Sequence, residues 1–163
     1  FQGRYSDAVS AFEKAVELSA NNYLYWGNLA DAYRWMPGRR EKARETYARA
    51  IELSRERLSR DKENLELRGS LAVYLAKSGD AKAATAEVAP LESSPKASGS
   101  TWFKVLLVQE LAGDRDRALA ALERSLKGGY AAREIRNEPE LTALRADARY
   151  HKIMNLHAPR QGR

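Results

Sequence analysis

Residues 25–33 read YWGNLADAY. Trp26, Leu29, Ala30 and Tyr33 follow the i, i+3, i+4, i+7 spacing that gathers side chains on one face of an α-helix. Three of the four are large, yet the stripe holds an alanine at its centre. A face turned to an ordinary core would carry Leu or Ile there. The small residue predicts a second helix crossing close by, since an interaxial distance of roughly 8–10 Å leaves no room for a long side chain.

A matching set of small residues recurs along the chain. Ala8, Ala43, Ala84 and Ala118 are each followed four positions on by a bulky partner: Phe12, Tyr47, Val88 and Leu122. Ala15, Ala50, Leu91 and Ser125 come next in the same frame. Gly3-Arg4, Gly79-Asp80 and Gly113-Asp114 stand just upstream and read as turns, with Pro37-Gly38 as the longer equivalent. The opening stripe itself recurs more weakly as Trp102, Val105, Leu106 and Gln109. Between them the frame gives Arg68, Leu71, Ala72 and Leu75. Self-similarity at about 34–41 residues is the mark of a helical repeat.

These residues resemble the tetratricopeptide repeat, a helix–turn–helix unit with the pattern W-x2-L-G-x2-Y…A-x3-F…P. The resemblance covers residues 1–127 and implies an all-α, right-handed superhelical array of antiparallel helix pairs, about three and a half repeats with the first truncated. Ala30 and Ala43 then mark one helix crossing. The departures are a missing closing proline (Ala20 stands there), Leu106 at a small position, and Arg68 in place of Trp. Residues 54–64, SRERLSRDKEN, are an insertion that should lengthen a helix, with Arg57 and Asp61 spaced to pair at i+4.

The predicted helices are 5–19, 22–35, 40–59, 64–78, 80–92, 100–112 and 115–127, with SSPKASGS (93–100) as a loop ending in an N-cap. Gly128-Gly129 stops the last long helix. Residues 128–157 then read as capping helices that turn Ile135, Leu141, Leu144, Tyr150 and Ile153 inward, and 158–163 as a flexible tail. This ending is similar to that of repeat arrays in bacterial signalling proteins, which implies a regulatory part of a larger protein. An N-terminal helix without its partner would leave Ala8 and Phe12 half covered and open to self-association.

Composition narrows the function. With no cysteine in the chain there is no disulfide framework and no thiolate site. That suits a cytoplasmic protein, and no apolar run approaches the roughly 18 residues of a membrane span. His151 and His157 fit no metal motif, and there is no phosphate-binding glycine loop. No enzyme, cofactor, metal or small-molecule substrate is expected. The net charge of +6 raises nucleic acid as a second reading, through Arg39, Arg40, Lys42 and Arg44. The excess is local: residues 34–49 hold six Lys or Arg against two Glu, whereas 50–144 balance. A continuous basic stripe is missing, so nucleic acid is not the expected partner.

A protein or peptide is. In the implied array the first helices of each pair line a concave groove. The face opposite Trp26–Ala30–Tyr33 presents Leu24, Asn28, Asp31 and Trp35; the next first helix presents Glu66, Ser70, Val73 and Lys77; the last presents Phe103, Lys104, Leu107 and Glu110. Glu66 and Ser70 stand where arrays that grip C-terminal carboxylates place Lys and Arg, so that specialisation is not expected. The groove should bind a peptide or partner helix through Trp35, Val73, Phe103 and Leu107, with Asn28, Asp31, Lys77 and Lys104 as hydrogen-bonding groups.

Overall fold

In the computed structural model, which describes residues 2–157 and side chains from Tyr5 onward, the order is α1 Gln2–Leu18, α2 Tyr23–Arg34, α3 Arg40–Arg60, α4 Leu65–Ser78, α5 Ala81–Ser93, α6 Gly99–Leu111 and α7 Arg115–Lys127. Helix α8 (Ala132–Asn137), two 3₁₀ turns (Pro139–Leu141 and Leu144–Ala146) and α9 (Ala148–Leu156) complete it. No strand occurs among the described residues. Helices α2 and α3, α4 and α5, and α6 and α7 pack as hairpins, and α1 packs on α2.

The alanine frames lie at the crossings. Ala30, Ala50, Ala72, Ala84 and Ala118 are fully buried, as are Val88 and Leu122. Burial of each large apolar side chain contributes about 1.5–3 kcal/mol. In the α4–α5 and α6–α7 turns, the Gly-Asp pair divides two tasks. Gly79 and Gly113 adopt left-handed φ values of 102° and 82° and end one helix. Asp80 and Asp114 then cap the next, accepting from the Ala83 and Arg117 amides at 3.0 and 3.1 Å.

That division explains a correction. Gly3-Arg4 is not a turn, because α1 already runs from Gln2. No capping Asp, Ser or Asn follows Gly3, and a first-turn glycine sits where amides lack intrahelical partners anyway. Two smaller corrections concern caps. The N-cap of α6 is Ser98, whose hydroxyl accepts from the Thr101 amide at 3.1 Å, so Gly99 and Ser100 are already helical. The insertion does lengthen α3 to 21 residues, but Arg57 does not pair with Asp61. Asp61 has left the helix (φ −134°, ψ 71°) and accepts from Asn64, while Arg57 lies 5.9 Å from the Tyr23 ring.

Glycines set two further approaches. A Cβ on Gly27 would meet the Tyr74 ring at 2.4 Å, so α2 admits that ring only because residue 27 has no side chain. Gly99 and Gly128 sit back to back at the α6–α7 base, where the Ser125 hydroxyl donates to the Gly99 carbonyl at 2.9 Å. Beyond them Ile135, Leu141 and Leu144 are fully buried and Tyr150 nearly so, whereas Ile153 is only half covered and Met154 takes the inward place. Ala8 and Phe12 are half-buried, as expected of α1. The tail 158–163 lies outside the described residues.

Candidate partner-binding groove

A cleft of about 300 Å³ opens where α2, α4, α6 and the cap converge. It collects Asn28, Asp31, Ser70, Val73, Lys77, Phe103, Lys104 and Leu107, together with Leu24. Nine of the twelve positions that helical spacing assigns to this face thus share one surface. Spacing of three and four along three helices was enough to place them.

Of the other three, Glu66 pairs with Lys104, and two do not belong. Trp35 is the C-cap of α2, 40% exposed, and does not line the cleft. Helix α2 ends one residue before it, so the i+4 register no longer applies. Glu110 has turned to the other side of α6, where its nearly buried carboxylate meets Arg115 at 3.1 Å. Burial pushes its pKa up, Arg115 opposes this and Asp147 adds to it.

The chemistry of the rest also differs from expectation. Val73, Phe103, Leu107 and Ser70 are buried, because packing between first helices uses the same face that was assigned to a ligand. They form the floor of the cleft and are not free anchors. Phe103 carries the Tyr130 ring stacked on it, with centroids 4.3 Å apart and planes at 14°. The lysines are spoken for. Lys77 Nζ donates to Asp31 Oδ1 at 2.8 Å, and that same oxygen accepts from the Tyr47 hydroxyl. Burial, followed by the Asp31 charge and hydrogen bond, pushes the Tyr47 hydroxyl far up, so it stays a donor.

Lys104 crosses from α6 to α4 over Gly69, where an added Cβ would meet its chain at 2.8 Å. It donates to Glu66 Oε2 at 2.6 Å and to the Glu66 carbonyl at 2.9 Å. The hydroxyls of Ser98, Ser100 and Thr101 all donate to the other oxygen, Glu66 Oε1. Burial favours the neutral acid, but these hydrogen bonds outweigh it and hold Glu66 down to about 2. By contrast, Tyr130 is pushed up by burial and by Glu134, Glu138 and Glu66 around it.

Tyr74, Ser100, Tyr130 and Glu138 complete the lining. Ser100 was within reach of sequence reasoning, since it precedes Lys104 and Leu107 on one helical face. Tyr130 and Glu138 were not, because the cap has no period that would place it against α6.

A family model for the tetratricopeptide repeat matches residues 2–56, from α1 through most of α3. The hairpins α4–α5 and α6–α7 continue the alanine frames of that stretch, so the described residues form an all-α array of repeated helix pairs. No curated protein matches the chain. Repeats of this family act in protein interaction. No helix among the described residues is long and apolar enough to cross a membrane.

Proposed function

We propose that the chain is a non-catalytic protein-interaction scaffold whose concave groove takes a peptide or helix from a partner protein. The observation that carries this reading is the convergence of three first helices and the cap on one cleft with an apolar floor. Its unmatched polar groups are mostly acceptors. Asp31 Oδ2 takes no hydrogen bond among the described residues, and no cation lies within 4 Å of the Glu138 carboxylate, whose Oε1 accepts the Glu140 amide. Lys77 and Lys104 already have carboxylate partners. The cleft therefore suits a segment that offers backbone amides or a donor side chain, and Asn28 can meet either end of an amide.

The boundaries we assign are 1–127 for the array, 128–157 for the cap and 158–163 for a tail. The likeness of the ending to bacterial signalling arrays supports a regulatory part of a larger cytoplasmic protein. The basic turn is less suited to a ligand of its own. Lys42 lies 3.7 Å from Glu13 and over the Tyr33 ring, and Arg44 pairs with Glu41 at 3.3 Å. A neighbouring concavity of about 550 Å³ is lined by Glu41, Glu45 and Asp80 beside Arg44, a poor field for phosphate.

Selection from a library of randomised peptides tests the groove. Asn28→Arg, which fills the cleft from an exposed position, is expected to weaken the selected peptides by about tenfold or more, or roughly 1.4 kcal/mol. Arg39→Ala with Arg40→Ala should leave them bound, with little dependence on salt. Nucleic-acid binding that falls with a log–log salt slope of roughly −3 to −4 and vanishes in the double variant would reverse the assignment.

A further inference from the structure

Arg34, the last residue of α2, reaches two other elements. Its Nε and Nη2 donate to Glu140 Oε1 and Oε2 at 2.9 and 3.2 Å, and its Nη1 donates to the Lys77 carbonyl at the end of α4 at 3.0 Å. The fork is bidentate, a geometry that only Arg provides. Glu140 is nearly buried, with its side chain 6% exposed, and sits in the 3₁₀ turn beside the fully buried Leu141. Glu138 accepts the Glu140 amide, and Arg145 holds the Glu138 carbonyl at 2.8 Å. Burial disfavours the Arg34 charge, but the bond to Glu140 more than compensates and raises its pKa.

The pair lies 106 residues apart in sequence. In a repeat array each unit touches its neighbours, so such a contact is foreign to the architecture. Helix α2 belongs to the first hairpin and the 3₁₀ turn to the cap, and α4 and α6 lie between. Helices α2, α4 and α6 line the cleft, with Tyr130 and Glu138 from the cap, the latter just ahead of the 3₁₀ turn. With Arg34 on Glu140, they close into a ring around it.

We propose that the Arg34–Glu140 pair is a latch that holds the groove at its present width by tying the first hairpin to the cap. This rests on the groove as the binding site only for its consequence: while the latch is closed, wider partners are excluded. With the latch broken, α2 swings away from the cap and the α4–α6 contact acts as the hinge.

The chain lacks cysteine, so spin labels can be placed at will. Labels on cysteines at Tyr25 in α2 and Asn137 in α8, both exposed, report the width. Labels at Lys127 and Asn137 stay within the C-terminal block as a control. Glu140→Gln should broaden the first distance distribution and shift it to longer values, leaving the control pair unchanged. Arg34→Glu with Glu140→Arg should recover much of the narrow distribution. If the first pair is unmoved in Glu140→Gln, the latch is wrong. If the control pair broadens too, Glu140 merely holds the cap together, and the latch is equally wrong. No ligand enters the measurement, so failure of peptide binding and failure of the latch are separate results.

Discussion

At the scale of single residues, Glu66 shows how a groove position is taken up by the chain's own donors. Four donors from α6 and its N-cap converge on it, which leaves Lys104 without a charge to offer a ligand. Its pKa is held at about 2, against an ordinary 4.5. Between those values the unfolded chain binds a proton that the folded chain refuses. The stability it contributes is complete above the ordinary value and is lost as pH falls through the lower one. Thermal melts of wild type and Glu66→Gln, followed from about pH 5 to about pH 2, should show the shallower acid loss in the variant. Equal slopes would mean that the convergence on Glu66 does not form in solution. The side chain is 47% exposed, so the effect is screened and modest.

At the scale of elements, the helices and their crossings follow from local rules, and the small residues decide how close they come. Ala84 is fully buried where α5 meets α4, and Lys82 two positions earlier is exposed. Ala84→Leu should overpack the crossing and cost about 1–3 kcal/mol. Lys82→Leu should stay within roughly 0.5 kcal/mol. Urea midpoints separate them, and equal midpoints would remove the alanine frame as the basis of the packing. The turns were legible for the same local reason: Gly-Asp supplies a left-handed residue and then a cap. Gly3-Arg4 failed the second half of that rule, and the helix ran through it.

At the scale of the whole molecule, burial is uneven. Among the described side chains of α1 only Val9 and Val16 are buried, Ala8, Phe12 and Ala15 are half covered, and Leu18 is 89% exposed. Helix α4 buries an unbroken run from Gly69 to Leu75 between hairpins on either side. Amide exchange tracks such local differences. In this chain α1 should exchange well before α4 and α6. Protection of α1 that rises with protein concentration would show its open face covered by a second copy; uniform protection at all concentrations would contradict the gradient.

What the sequence determined by itself was most of what repeats: seven helices, the alanine crossings, the turns at Gly38, Gly79 and Gly113, and the face on which Asn28, Ser70 and Lys104 meet. A helical period and a small residue at fixed spacing act within one or two neighbouring elements, so they are written locally. The tertiary structure alone decided which groups on that face stay available. Lys77 meets Asp31 across 46 residues, Tyr130 stacks on Phe103 from the aperiodic cap, and Arg34 finds Glu140 across 106. Each pairing depends on where several packed elements put two side chains at once, and no period in the chain encodes that distance.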